Sequence, residues 1–186
     1  KLIHGTESIQ YKEQEMKSLP FHEIEITPFF DLEAFMLLSG QRRIQTDKAK
    51  ELEKLWQEIY KYLKAFQLGE KKGYLVIYLG QEFEERFAKI EKQNPEQAQE
   101  LQSLAQALLM AALVEALPVA GYSDCAPVPE PNKVLKRSLQ KLGLEFDNSG
   151  SLDVRFGLLT KVPFSGDCAE CFIKSSCAKR ILQNQT

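Results

Sequence analysis

The sequence has little histidine and no excess of positive charge. Only two histidines occur among its 186 residues, His4 and His22, so a histidine-rich zinc site or a Ser-His-Asp hydrolase would have few residues to draw on. His22 alternates with apolar neighbours in a predicted strand, and we interpret it as a structural residue. The formal net charge is −2. This charge provides no overall basic field, and we therefore expect no nucleic-acid partner.

The sequence also lacks a long apolar run and a recognisable secretory leader. Its most apolar stretch, 104–117, is shorter than a membrane span and contains Gln106 and Glu115. The chain begins with Lys1 rather than Met, and nothing near its start resembles a signal peptide. We therefore expect a cytoplasmic protein without a membrane partner, of a length that is ample for one domain.

Cysteine is scarce and unevenly placed. Cys125 stands alone, whereas Cys168, Cys171 and Cys177 form a C-x2-C-x5-C motif near the end of the chain. Two thiolates separated by two residues can hold one ion or one cluster, because a tight turn brings both sulfurs to the same side. A third thiolate in the motif and a fourth from a distant loop complete four-coordination. The pattern predicts a metal or iron–sulfur site that joins the C-terminal segment to the middle of the chain.

Other uses of the four cysteines remain open at this point. They could form a disulfide or stay unligated, but clustered cysteines without an extracellular context more often bind metal. A closed zinc site would be structural, and a four-iron four-sulfur cluster (4Fe-4S) also takes four thiolates. Spacing alone does not decide between zinc and the cluster.

Hydrophobic periodicity and breaker residues predict a mixture of strands and helices. Strands are predicted over 21–26 and 74–79, and 152–162 is predicted to form a strand or a bent pair, interrupted at Gly157. Helices are predicted from Asp31 as the cap to 38, from 46 to Gly69, and over 81–93, 95–117 and 132–142. Because these elements show no regular βαβ alternation, we expect an α+β fold. We expect a lead-in over 1–20 and one domain over 21–180, which includes the cysteine motif at 166–180.

Three stretches are candidates for the core. The apolar run 74–79 predicts a central strand buried on both sides. The Ala- and Leu-rich half of the helix ending at 117 predicts a buried central helix. Residues spaced by three and four between Leu52 and Phe66, including Trp56 and Leu63, predict one apolar helix face.

A long rigid loop is predicted over 119–131, because it contains three prolines and Gly121. This loop carries Cys125. Asp124 beside it could be a turn former, a polar loop residue or a ligand contact. Tyr122 could contact a ligand or pack against the preceding helix.

Several of these stretches together resemble one known family. The run 74–80, the helix containing Phe83, the helix ending at 111–117 and the loop 120–125 resemble the middle of the activation domain of cobalamin-dependent methionine synthase. The loop is similar to the family's Gly-Tyr-x-x-Cys loop. Some standalone relatives in anaerobic bacteria end with a similar cysteine tail followed by a basic residue, as Lys179 and Arg180 follow here. The resemblance covers about 20–180 of this chain.

The resemblance implies a single α+β domain with a twisted antiparallel sheet, S-adenosylmethionine binding along the Gly-Tyr loop, and docking on a corrinoid protein whose cobalt is reduced and remethylated. The residues implied to line a cofactor site are Gly121 and Tyr122, and Asp124 in the same loop is a further candidate for that site. The family has an arginine that engages the methionine part of the ligand, where this chain has Leu117. A guanidinium clamp for a carboxylate is therefore missing at that position.

Three functional hypotheses follow. The first is a metal- or iron–sulfur-binding protein that supports reductive activation of a corrinoid protein or delivers electrons to it. Its metal site would be formed by Cys125, Cys168, Cys171 and Cys177. An alternative is a non-catalytic interaction module with a structural zinc site. A further alternative is an S-adenosylmethionine-binding domain of methyltransferase type. Whether the chain turns over a substrate is left undecided by the sequence.

Overall fold

Four antiparallel strands form one sheet in the order β1-β2-β3-β4 in the computed structural model, which describes residues 18–120 and 125–175. The strands are β1 (Phe21–Glu23), β2 (Leu63–Gly69), β3 (Gly73–Leu79) and β4 (Gly157–Val162). The helices are α1 (Leu32–Ser39), α2 (Thr46–Tyr60), α3 (Gln81–Gln93), α4 (Pro95–Ala116) and α5 (Lys133–Gln140). Mixed helices and strands on an antiparallel sheet confirm the expected α+β class. Most of the predicted lead-in, 1–17, lies outside the described residues.

Strand β3 lies in the middle of the sheet. It pairs with β2 from Leu63↔Leu79 to Gly69↔Gly73 and with β4 from Gly73↔Val162 to Tyr78↔Gly157. Its residues alternate between two hydrophobic clusters, one on each face of the sheet. The prediction of a central strand buried on both sides is therefore confirmed.

The larger cluster covers one face of the sheet with α1 to α4. Helix α4 contributes more to it than any other element, and eleven of its residues are buried, which confirms the predicted central helix. Trp56 of α2 is 1% exposed and its Nε1 donates to the carbonyl of Pro28 at 3.2 Å. Phe156 packs edge-on against Phe83 and Phe87 of α3, with ring centroids 5.1 and 4.9 Å away.

The opposite face of the sheet is covered by α5. Leu135 and Leu139 are fully buried in a second cluster with Leu68, Val76 and Leu159. The residues just before β1 lie on this side too, because the backbone N–H of Leu19 donates to Ser138 Oγ at 2.9 Å. The chain therefore has to pass from one face of the sheet to the other between α4 and α5.

Helix ends agree with the cap residues seen in the sequence. Asp31 Oδ1 accepts from the backbone N–H of Glu33 and of Ala34, and Gly40 ends α1 in the left-handed region. Asn94 caps α4, whose first residue is Pro95. These boundaries confirm the predicted helices at 31–38, 81–93 and 95–117 to within a residue or two.

The predicted helix from 46 to Gly69 is wrong in its second half. Helix α2 ends at Tyr60, and the next residues form β2. Leu63 and Phe66 continue the spacing of the α2 stripe, but Leu63 and Ala65 face one cluster while Phe66 and Leu68 face the other. The period has changed from 3.6 to 2 because this segment pairs with β3 in a hairpin.

Three other boundaries also need correction. Strand β1 ends at Glu23, and its three side chains are all exposed, so 21–26 is not a half-buried strand. Strand β4 starts at Gly157, and before it only an isolated bridge joins Phe146 and Leu152. Helix α5 stops at Gln140, and 141–143 form a turn. No helix within the described ranges is long and apolar enough to cross a membrane.

Candidate metal centre

The chain passes from one face of the sheet to the other between α4 and α5, and Cys125 lies on this path. We call its described part before α5, residues 125–132, the crossing segment. It contains Pro127, Pro129 and Pro131 and no helix or strand. It ends at Asn132, whose Oδ1 accepts from the backbone N–H of Leu135 at 2.9 Å. The loop predicted for 119–131 is confirmed in the described part, since 119–120 and 125–131 form neither helix nor strand, and Asn132 marks its end.

The C-x2-C motif lies in a tight turn just after β4. Cys168–Glu170 form one turn of 3₁₀-helix, and Asp167 caps it by accepting from the backbone N–H of Ala169 at 2.7 Å. The backbone N–H of Cys171 then donates to the carbonyl of Cys168 at 3.2 Å. The turn that the two-residue spacing favours is therefore present, and both cysteines lie in it.

Two hydrogen bonds attach this turn to the crossing segment. The backbone N–H of Phe172 donates to the carbonyl of Val128 at 2.8 Å, and the backbone N–H of Val128 donates to Cys171 Sγ at 3.4 Å. Val128 is three residues from Cys125, and three residues span at most about 11 Å. The structure therefore brings Cys171 into the neighbourhood of Cys125, although 46 positions separate them in the sequence.

The three described cysteines differ in exposure. Cys168 is exposed, whereas Cys125 and Cys171 are half-buried, and no disulfide joins any two of the three. Within residues 18–120 and 125–175, no three Cys, His, Asp or Glu side chains form a group suited to one metal ion. Cys177 lies outside those residues, so the four-ligand site stays a prediction.

The donor chemistry fits a thiolate-bound metal at Cys171. The Cys171 sulfur that accepts the backbone N–H of Val128 is the kind of atom that binds zinc or an iron–sulfur cluster. Lys174 adds a positive charge to the turn, since its Nζ donates to the carbonyl of Ala169 at 3.2 Å. Asp167 and Glu170 lie in the same turn, so two carboxylates offset the positive charge of Lys174 there. Lys179 and Arg180 lie outside the described residues.

The candidate cofactor-binding residues are Gly121 and Tyr122, which the resemblance implies for S-adenosylmethionine, and Asp124, and all three lie outside the described residues. Leu117, which occupies the place of the family's arginine, is described. It ends α4, donates its backbone N–H to the carbonyl of Leu113 at 2.8 Å, and packs against the larger hydrophobic cluster. Its position therefore supplies packing rather than a charge for a ligand carboxylate.

Sequence reasoning missed two residues of this region. Val128 provides both hydrogen bonds through its backbone, which leaves no trace in the residue type. Phe172 follows Cys171 and places its ring beside Gly150. The turn containing Gly150 is predicted from Asp147-Asn148-Ser149-Gly150, but nothing in the spacing connects it to the cysteine motif.

Comparison with family models, with curated proteins and with solved structures found no match.

Proposed function

We propose that this chain is a metal- or iron–sulfur-binding protein that supports reductive activation of a corrinoid protein or delivers electrons to it. Its centre would be held by the sulfurs of Cys125, Cys168, Cys171 and Cys177. The observation that carries the proposal is the docking of residues 168–172, the cysteine turn, on the crossing segment. In this contact the backbone N–H of Val128 is directed at Cys171 Sγ at 3.4 Å. This contact joins the two separated parts of the cysteine set.

The roles of the chain's own groups follow from this arrangement. The tight turn at 168–171 would present two sulfurs, and the crossing segment would present Cys125. The N–H of Val128 would remain directed at the sulfur of Cys171, and hydrogen bonds to sulfur are among the features that set the reduction potential of a bound cluster. A bound 4Fe-4S cluster would supply one-electron chemistry, whereas zinc would supply only structural support.

The resemblance to the activation domain of cobalamin-dependent methionine synthase favours the cluster over zinc. Reduction of oxidised cobalt requires low-potential electrons, and an iron–sulfur cluster can provide them. The antiparallel sheet with packed helices agrees with the architecture that the resemblance implies. The finer assignment, one activation-domain-like unit over 21–180 in the cytoplasm, is part of this proposal.

An S-adenosylmethionine-binding role is less well supported. Its carboxylate clamp would have to come from the position of Leu117, an apolar side chain that packs against the larger hydrophobic cluster. A non-catalytic module with structural zinc is the other alternative. It is favoured by the two hydrogen bonds that already hold the cysteine turn to Val128. In that case the metal would only strengthen a docking that hydrogen bonds have begun.

Redox spectroscopy separates the cluster from zinc. Protein purified without oxygen should show a broad visible absorbance that bleaches on addition of dithionite. The reduced protein, freed of dithionite, should then reduce hydroxocobalamin by one electron per cluster, and the corrinoid spectrum reports this change. The Cys171→Ser variant, which lacks the sulfur bonded by Val128, serves as the matched control. Colourless protein with stoichiometric zinc and no corrinoid reduction would exclude electron delivery.

A further inference from the structure

The turn beside the cysteine motif is held by its own side chains. Asp147 Oδ1 accepts from the backbone N–H of Ser149 at 2.8 Å, from Ser149 Oγ at 2.7 Å and from the backbone N–H of Ser151 at 2.9 Å. The backbone N–H of Asp147 donates to the carbonyl of Ser151 at 2.8 Å. These bonds give the turn a fixed shape without help from the cysteine motif.

Gly150 in this turn is in direct contact with Phe172. A Cβ placed on Gly150 would lie 2.5 Å from Cε1 and 2.9 Å from Cδ1 of Phe172, and 3.4 Å from Cγ of Pro131. The ring therefore occupies the space that any side chain at this position would need. Gly150 also has φ +84°, where residues with a side chain are strained.

Phe172 and the neighbouring Cys171 both bond to the backbone of Val128. The backbone N–H of Phe172 bonds the carbonyl of Val128 at 2.8 Å, and Val128 returns its own N–H to Cys171 Sγ. None of these contacts involves a metal. Phe172 is 47% exposed and lines an open cleft of about 580 Å³, so the contact lies at the surface rather than in the core.

We propose that Phe172 and Gly150 are positioning residues that seat the cysteine turn on the Asp147–Ser151 turn before any metal binds. Cys171 is thereby held beside the segment that carries Cys125 in the metal-free protein. The consequence for metal binding rests on the proposed function. The seating itself does not, because it is made only of contacts within the chain.

Selective alkylation of reduced, metal-free protein measures this seating. Iodoacetamide is added under native conditions, and mass spectrometry follows each cysteine against its rate in unfolded protein. Wild-type Cys171 should react about tenfold more slowly, relative to its unfolded rate, than the exposed Cys168, which corresponds to about 1.4 kcal/mol of docking free energy. Gly150→Ala, and separately Phe172→Ala, should bring Cys171 to the rate of Cys168.

Two variants show whether the effect belongs to the ring. Gly143→Ala introduces the same strain, since Gly143 has φ +73°, but nothing lies within 4 Å of the added Cβ; Cys171 should stay protected. Phe172→Tyr keeps the ring and should also retain protection. The emission of Trp56, the only tryptophan, checks that each variant is folded.

The outcomes separate this inference from the proposed function. If Gly150→Ala and Phe172→Ala fold and leave the Cys171 rate unchanged, the positioning role is overturned, whatever metal the protein holds. If both release Cys171 but wild-type protein retains no metal, the positioning role stands and the proposed function fails. If they release Cys171 and also lose metal that wild type retains, both are supported.

Discussion

Asn132 Nδ2 donates a hydrogen bond to the hydroxyl of Tyr74 at 3.1 Å, which ties the start of α5 to the central strand β3. The same side chain caps α5 through its Oδ1, which accepts from the backbone N–H of Leu135. Asn132 is also the residue at which the crossing segment from Cys125 ends. The Asn132 side chain therefore caps α5 and holds the end of the crossing segment against β3.

Removal of this amide should destabilise the protein by a measurable amount. Asn132→Ala should lower the free energy of unfolding by about 1–2 kcal/mol, because both the cap and the bond to Tyr74 are lost. Asn132→Asp keeps the capping oxygen and should cost less. Urea unfolding followed by Trp56 emission gives the comparison, and equal losses for Ala and Asp would contradict the capping role.

The aromatic contact between α3 and the start of β4 should be among the costliest to delete. Phe156 is 2% exposed and touches two other rings, so Phe156→Ala should lower the free energy of unfolding by about 3–5 kcal/mol. Phe29 is 76% exposed and is the matched control, with an expected change within about 0.5 kcal/mol. Similar losses for both variants would show that Phe156 is not in the core.

The hairpin between β2 and β3 should depend on Gly73. A Cβ there would lie 1.8 Å from the backbone oxygen of Leu68, so Gly73→Ala should cost at least about 3 kcal/mol through displacement of the strand. Gly40→Ala adds a methyl group at φ +70° in open space and should cost about 1–2 kcal/mol. Thermal or urea unfolding of the two variants tests the order, and a milder effect at Gly73 would contradict the hairpin register.

The Asp147 turn should make stability depend on pH in the acid range. The hydrogen bond from Ser149, followed by backbone N–H groups, lowers the pKa of the Asp147 carboxyl from its ordinary value of 3.8. A group with a depressed folded pKa stabilises the fold above its unfolded pKa and loses that contribution as the pH falls through the folded pKa. The stability difference between wild type and Asp147→Asn should therefore be largest at neutral pH and shrink as the pH falls below 3.8 and through the lower folded pKa of Asp147. A difference that grows on acidification would contradict the assignment.

Much of the fold could be predicted because its signals are local. Asp31, Asn94 and Pro95 mark helix starts through their own hydrogen bonds or ring geometry. The run 74–79 is apolar on both faces because both faces of β3 are covered. Strand β2 was not predictable from its own residues, since Leu63 and Phe66 extend a helical spacing. Its strand conformation depends on pairing with β3.

The proposed ligands come from the sequence, whereas the contacts that would support them do not. Cysteine spacing predicts four metal ligands, because ligand chemistry depends on side-chain type. Val128 acts through backbone groups, which any residue would provide, and Gly150 acts by leaving room for Phe172. Such supports depend on tertiary proximity between segments 125–132, 147–151 and 168–172. A single sequence carries no direct signal for that proximity.

Metal and sulfide content of single cysteine variants tests the central claim most directly. Wild type and the variants Cys125→Ser, Cys168→Ser, Cys171→Ser and Cys177→Ser are purified without oxygen, and bound metal and acid-labile sulfide are measured per chain, with Ser165→Ala as a control in the same segment. We predict that wild type and Ser165→Ala hold the same content and that each cysteine variant, Cys125→Ser included, loses most of it. Retention of the wild-type content by Cys125→Ser would show that the distant cysteine is not a ligand and would contradict a centre shared between the crossing segment and the cysteine turn.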